Sequence, residues 1–455
     1  MKVGFISLGC SKNLIDTEVA IGKFKDHKFE IVNNPSEADV IVINTCGFIG
    51  SAKEEAINTI LEMAEYKKRN CKYLIVMGCL VQRYRDELAK SIPEVDLFIK
   101  IEDYDKLWDL IEILMKDKTE QEKSGNQKSE KRTVHFSEMP MFMKQEYLQR
   151  VVSTGKNYAY LKIGEGCSNF CTYCAIPYIR GSFVSRPMED ILQEAESLAK
   201  QGIKELIVIA QDTTKYGVDI YGESKIAELL EKLCKIDGIY WIRLLYTYPE
   251  GITEKLIEVV KNNEKMAKYF DIPIQHISND ILKRMNRKTS KEDIEKLIKK
   301  IKKEIPEVTL RTSLIVGFPG ENPGNFEELY NFVKRIKFDK LGVFEYSKED
   351  GTPAAKMPNQ IHHTTKRLRF NRIMNLQQKI SYEKMKEKIG KEIEVLVEGI
   401  SLDRKYFIGR TKSDVPDIDG VVYIKKFKDI ELNTFIKCNV IDVKNYDLIA
   451  EKNLT

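Results

Sequence analysis

Nowhere in the 455 residues is there an apolar run long enough to span a bilayer. The first ten residues, MKVGFISLGC, lack the basic stretch and long apolar core of a signal peptide and read as a β-strand. Both absences predict a cytoplasmic chain with no membrane partner, whose thiols stay reduced. Cysteine is present nine times, an odd number that argues against a full disulfide set. An excess of one charge is also missing. The net +5 left by 74 basic and 69 acidic residues permits a nucleic-acid partner without demanding one. No internal repeat is found beyond an alternation of strand and helix. One stretch, KDKTEQEKSGNQKSEKR at 116–132, has no aliphatic or aromatic residue, cannot bury surface, and reads as a linker or surface excursion.

What is present is an α/β pattern in three parts. The chain is too long for one ordinary core. Residues 1–115 hold apolar, β-branched runs (KVGFISL, DVIVINT, KYLIVMG) separated by helical stretches, which predicts a doubly wound parallel sheet. A linker is expected over 116–150. Over 151–383 the alternation resumes with six candidate strands, YLKIGEG, ELIVIAQ, YWIRLLY, FDIPIQ, LRTSLIVGF and LGVFEYS. Six are too few for a closed eight-stranded barrel but suffice for a partial (β/α)6 one. Between the first two, Ser185 is expected to cap a helix and Pro187 to sit in its first turn. A long helix is expected near 364–388. Over 384–455 short strands separated by turn residues predict a small antiparallel β-barrel.

Cys167, Cys171 and Cys174 stand in GEGCSNFCTYCAIPYIRG, just after the first barrel strand. Parallel barrels carry their chemistry at that end. Thiolates so spaced on one glycine-containing loop suit an iron–sulfur cluster with one iron left open. A zinc site borrowing a remote ligand, or three packing cysteines, are the alternatives. Cys10, Cys46 and Cys79 are far apart in sequence, yet each ends a candidate strand of the N-terminal sheet beside a glycine, Gly9, Gly47 or Gly78. Strand ends of a parallel sheet share one edge. A second cluster with three protein ligands is therefore expected there. Cys71, Cys234 and Cys438 lack that context and read as packing residues.

The Cys-x3-Cys-x-aromatic-Cys pattern, with Tyr173 before the third cysteine, resembles the signature of the radical S-adenosylmethionine (SAM) enzymes. LGCSKN, NTCGF and GCLVQRY resemble the N-terminal domain of the methylthiotransferases within that superfamily, and the last segment resembles their TRAM domain. The resemblance implies two 4Fe–4S clusters. The one on Cys167, Cys171 and Cys174 is expected to activate SAM, and the one on Cys10, Cys46 and Cys79 to handle the incoming sulfur. It also implies two SAM molecules per turnover, one of them a methyl donor, and a reductant such as flavodoxin or ferredoxin. AQDTTKYG, IRLLYTYPE, IPIQHIS and FEYSKEDGTPAA look like the branch that modifies the β-carbon of an aspartate in small-subunit ribosomal protein twelve. The transfer-RNA branch is the alternative, and a non-catalytic iron–sulfur protein a further one. The segment Lys391–Thr455 has 11 basic and 12 acidic residues, which fits a protein substrate better than a phosphate backbone. The basic run Lys366, Arg367, Arg369 and Arg372 reads as a solvated helix face. By the same resemblance, Tyr173 in the cysteine loop and Gln211, Asp212, His276, Arg311 and Gly317 near the ends of the barrel strands are candidate SAM contacts.

Overall fold

The computed structural model of the chain describes residues 1–124, 144–425 and 430–453. The N-terminal strands β1 (Lys2–Ser7), β2 (Glu30–Val32), β3 (Val40–Thr45), β4 (Tyr73–Gly78) and β5 (Leu97–Ile99) form one parallel sheet, in the order β2-β1-β3-β4-β5. β3 and β4 are buried along their whole length. Val40 and Val42 face one core while Ile41 and Ile43 face another, so helices cover both faces, as the unbroken apolar runs predict. The order reverses between β1 and β3. In open α/β sheets that reversal opens a crevice at the carboxyl ends of the strands, and Cys10 and Cys46 follow these two strands.

Six further strands, β6 (Tyr158–Lys162), β7 (Glu205–Ile209), β8 (Trp241–Leu244), β9 (Tyr269–Asp271), β10 (Thr309–Val316) and β11 (Lys340–Glu345), make two parallel halves, β8-β7-β6 and β9-β10-β11. A parallel bridge between Ile242 and Met266 joins them into a partial barrel. Leu206 and Val208 pack outward under the helices. Ile207 and Ile209 belong instead to a core shared with Val3, Ile15 and Met77 of the N-terminal sheet. The barrel and the sheet are thus packed as one body.

The last five strands, β12 (Glu392–Ile400), β13 (Tyr406–Arg410), β14 (Val422–Lys425), β15 (Phe435–Lys444) and β16 (Asp447–Lys452), close into a barrel. It is not wholly antiparallel as predicted, because β14 and β16 run parallel. Its β13–β14 connection shuts the amino end of the larger barrel, opposite the cysteine loops. Arg410 pairs with Glu205 at 2.9 Å, Asp414 with Lys340 at 2.8 Å, and Asp417 and Asp419 accept from the hydroxyls of Tyr158 and Tyr269. Each of those barrel residues opens its strand.

Two local expectations are corrected. The polar stretch beginning at Lys116 starts inside the helix Leu107–Ser124, and the rest of the expected linker at 125–143 lies outside the described residues. Lys, Glu and Gln are strong helix formers even where they bury nothing. Ser185 does not cap the helix Met188–Lys200, which starts from Pro187 without a side-chain cap. The Ser185 hydroxyl bonds Asp219 instead, at 2.5 Å. The long helix is present at His363–Lys386. No helix among the described residues is long and apolar enough to cross a membrane.

Glu205 is fully buried between Arg243, at 2.7 Å, and Arg410. Burial alone would push its carboxyl up, but the two guanidinium groups outweigh burial and hold it below the usual carboxylate range. A depressed value means that the stabilisation is present above the unfolded-state pKa and is lost as pH falls through the folded one. Glu205→Ala is expected to lose about 3–5 kcal/mol near neutral pH, because Arg243 loses its carboxylate and Arg410 keeps only Glu398. In urea denaturation at stepped pH, the gap to wild type should narrow once the pH drops below the carboxylate range.

Candidate functional site

Three loops at the carboxyl edge of the N-terminal sheet press together through their glycines. A Cβ on Gly9 would stand 2.6 Å from the Cβ of Cys46, and one on Gly47 would meet Leu80 and Cys79 backbone at 2.8–2.9 Å. Only residues without a side chain allow Cys10, Cys46 and Cys79 to approach this closely. Burial, followed by the neighbouring Cys79, pushes the Cys46 thiol up to about 12, and Cys10 adds to the same rise. Burial also raises Cys79, with the Arg180 guanidinium opposing it. Three thiols distant in sequence thus feel one another's charge.

The second set lies on one loop after β6. A Cβ on Gly166, which has φ +73°, would sit within 2.1–2.8 Å of the carbonyls of Arg180, Gly181 and Ser182. The loop is therefore folded tightly on its own end, and Cys167 N–H donates to Gly181 O at 3.0 Å. Asn169 and Thr172 fix its middle, the first to Asp212 at 2.8 Å and the second to the Met285 and Arg284 carbonyls. Burial raises Cys167 to about 11, with Asp212 and then Cys171 adding to it, and raises Cys174 as well, with Cys171 and Cys167 adding there. Arg287 reaches the Cys171 sulfur at 3.8 Å. All nine cysteines are free. Cys71 and Cys438 are buried in apolar cores and Cys234 packs at the edge of another, as expected of packing residues.

A buried ionic quartet joins the two thiol sets. Asp16 pairs with Lys162 at 2.6 Å and Arg180 at 3.0 Å, while Glu165 pairs with the same two cations at 3.0 and 2.8 Å. Arg180 lies six residues past Cys174, yet its Nε donates to the Cys79 sulfur at 3.4 Å and its Nη2 to Asn13 at 2.6 Å. Burial raises the Glu165 carboxyl, but Arg180 and Lys162 outweigh it and keep it charged. On another side, Arg83 donates to the carbonyl of Gly47, next to Cys46, and pairs with Glu349 at 3.1 Å. Lys53 joins the same carboxylate at 3.0 Å. Glu349 belongs to the FEYSKEDGTPAA stretch, so that stretch fastens the N-terminal sheet to the barrel.

The candidate SAM contacts fare unequally. Gln211 lies against the quartet, donating to Glu165 at 2.6 Å, and its Oε1 is buried without a hydrogen-bond partner. Arg311 pairs with Asp271 through Nη1 at 2.7 Å. Tyr173 packs against Ile281, Met285 and Phe318 beside Cys171. Asp212 is a cap, because its two oxygens are taken by Thr214 and Asn169. His276 is fully buried, with Nδ1 accepting from Ser278 N–H and Nε2 3.6 Å from Glu321. A Cβ on Gly317 would meet the Lys366 side chain, and the Gly317 N–H goes to Glu321. The basic run is a solvated face in part, with Arg367 and Arg372 exposed and Arg369 buried. Arg367, Arg369 and Arg372 pair with Glu345, Glu321 and Glu327, and Lys366 bonds the Tyr346 carbonyl. Sequence reasoning missed Lys162, Glu165 and Arg180. The one signal was a charged residue at the end of an apolar strand, since the partners are 146 and 164 positions away.

Among the described residues no group of three or more His, Cys, Asp or Glu is arranged to hold a single metal ion. Thiolates that each take a different iron of one cluster stand more widely than ligands of one ion, and Cys167, Cys171 and Cys174 share one loop on which the first two bear on the third. The partnerless Gln211 oxygen beside them is an acceptor that a bound ammonium or hydroxyl would satisfy.

Comparison with known proteins agrees with this layout. Residues 2–100 match the family described as Uncharacterized protein family UPF0004, 161–333 the Radical SAM superfamily, and 389–452 the TRAM domain. The chain is 58% identical over 452 residues to the ribosomal protein uS12 methylthiotransferase RimO of Alkaliphilus oremlandii, covering 99% of both chains. It is 50% identical to the RimO of Acetivibrio thermocellus, covering 99% of this chain and 98% of that one. Among solved structures, the radical SAM methyltransferase TsrM from Kitasatospora setae shares the fold with a TM-score of 0.54 at 14% identity, over 78% of this chain and 76% of that one. A radical SAM domain implies a 4Fe–4S cluster and SAM as cofactors. With identity of this level carried from end to end, the chain belongs to the family of ribosomal protein uS12 methylthiotransferases, and is a radical SAM methylthiotransferase.

Proposed function

We propose that this enzyme methylthiolates the β-carbon of an aspartate in ribosomal protein uS12, using two 4Fe–4S clusters and two SAM molecules in the cytoplasm, with a flavodoxin or ferredoxin as reductant. The observation that carries the proposal is Arg180. This one buried side chain follows the loop of Cys167, Cys171 and Cys174 and hydrogen-bonds Cys79 of the other thiol set. Two thiol sets held against one buried network suit two centres that work on one carbon in turn. The substrate comes from the relatives' names. It is favoured over transfer RNA by the near-neutral C-terminal segment and by the internal pairing of the Arg367–Arg372 run, which leaves little free charge for phosphates.

Cys167, Cys171 and Cys174 would hold the cluster that cleaves SAM, and Cys10, Cys46 and Cys79 the one that delivers sulfur. Bound together, cluster and SAM supply a radical able to take hydrogen from an unactivated carbon. The chain's own residues shape the place where that happens. Gln211 offers an acceptor for SAM, and Arg311 a cation for its carboxylate. Tyr173 packs the loop from below. The shared apolar core beneath the site keeps water from its floor.

Anaerobically reconstituted protein is expected to hold about eight irons per chain. Replacing Cys167, Cys171 and Cys174 by Ala should halve the iron and abolish 5′-deoxyadenosine formation. Full SAM cleavage by that variant would reject the assignment. Mass spectrometry of uS12 and transfer RNA from cells lacking the enzyme should show the methylthio group missing from uS12 alone. Its loss from transfer RNA alone would overturn the substrate. Glu349→Gln removes the charge that fastens Arg83 and Lys53, and so loosens the Cys46 loop relative to the barrel. It should keep SAM cleavage while methylthiolated product per deoxyadenosine drops roughly tenfold, in proportion to a lost charge-assisted bond.

A further inference from the structure

The ammonium of Lys12 stands apart from the other buried cations of the molecule. Lys162 and Arg180 share two carboxylates, Arg150 pairs with Glu18 and Glu194, and Arg243 and Arg410 share Glu205. Lys12 is only 6% exposed, and its Nζ lies 3.1 Å from the centre of the Tyr246 ring. Among the described residues no carboxylate, carbonyl or hydroxyl partners it. The aromatic face attracts the ammonium from one side only, which leaves its N–H donors for an anion on the other.

Two further observations place that anion. Lys12 is in the first turn of the 16-residue helix Ser11–Asp26, where Cys10 offers no side-chain cap and no acidic residue occupies the turn. The free amide groups and the positive end of the helix dipole therefore favour an anion at the turn that carries Lys12. Lys12 is two residues past Cys10, while Tyr246 is two residues past the end of β8, at the barrel mouth where the Cys167 loop lies. The positive φ of Tyr246, +59°, and the bond from its N–H to Asp271 fix the ring there. The unpartnered ammonium thus faces the junction between the two thiol sets.

We propose that Lys12 and the amino end of its helix bind the side-chain carboxylate of the substrate aspartate. The inference rests on the assignment of uS12 as substrate. The methionine carboxylate of SAM has the same chemistry, but Arg311 offers that group a cation inside the barrel, whereas Lys12 belongs to the sulfur-delivering side. The reacting β-carbon is bonded directly to the carboxylate carbon. Holding the carboxylate therefore holds the C–H bond beside it, between the two centres. The same contact selects aspartate over asparagine, which has the shape without the charge.

Fluorescence anisotropy with the full-length protein and a labelled uS12 peptide, carrying either the aspartate or asparagine in its place, tests this without relying on turnover. Wild type should bind the aspartate peptide at least roughly tenfold tighter, the size of a charge-assisted hydrogen bond. Lys12→Gln should erase the preference by weakening the aspartate peptide alone, and Lys12→Arg should restore most of it. In the reconstituted enzyme, Lys12→Gln should raise the KM for peptide and leave the KM for SAM within twofold. A Lys12→Gln protein that still prefers aspartate overturns the proposal, as does one in which only the KM for SAM rises. If wild type binds neither peptide, the substrate assignment falls and takes the inference with it.

Discussion

Two carboxylates shared between two cations decide how the N-terminal sheet sits on the barrel. Asp16 comes from the helix that follows Cys10, Lys162 from the end of β6, and Glu165 and Arg180 from the two sides of the Cys167 loop. Each charge has two opposite partners, so the group is neutral as a whole and can be buried. Buried ion pairs contribute little net stability against apolar packing, but they are costly to break one partner at a time. The quartet therefore acts less as glue than as a register. Rotating or sliding the sheet on the barrel would strand a charge in an apolar core that otherwise tolerates small shifts.

That register explains why the N-terminal thiols need no contiguous motif. A parallel sheet gathers strand ends on one edge, and glycines at 9, 47 and 78 let the three loops touch. Arg180 then reaches across from the other loop to Cys79, so the position of one thiol set is read out directly by the other. Glu349 repeats the device on a second side through Arg83 and the Gly47 carbonyl. Two separated fastenings resist a hinge motion better than one. At the opposite end Asp414, Asp417 and Asp419 tie the small barrel to the first residues of three strands.

Much of this was legible in the sequence, and the boundary between what was and was not is physical. Unbroken apolar runs declare buried parallel strands, and a cysteine directly after such a run must lie on the functional edge. Hence the six thiols and the strands that carry them could be placed before any coordinates. Pairings across long separations leave no periodic trace. Nothing in KNLIDTE marks Asp16 as the partner of Lys162, and nothing in FEYSKED shows that Glu349 meets Arg83 and Lys53. Polar residues just past strand ends were ambiguous for a different reason. Capping a turn and binding a ligand call for the same atoms, and Asp212 spends one oxygen on the turn and the other on Asn169 while Gln211 keeps one free. The parallel pairing of β14 with β16 was likewise hidden, because strand direction in a small barrel depends on where a connection crosses, not on residue type.

The distribution of exposure completes the argument about how a macromolecule reaches the site. Four of the six site thiols are buried and Cys174 is half-buried, shut in by the quartet, the Glu349 fastening and the Cys167 loop's own bonds. Cys10 alone is exposed. The face of the site that water reaches is therefore the one on which Cys10 lies, at the start of the helix that carries Lys12 and Asp16. A side chain entering from that face meets the amino end of the helix first and the charge-balanced quartet behind it. Neutral pairs deeper in repel neither sign strongly, whereas the ammonium of Lys12, which no carboxylate among the described residues neutralises, favours an anion. The order of charges along that path is thus itself selective. An acidic side chain is drawn to the junction of the two thiol sets, while a cation meets a like charge before it reaches either one.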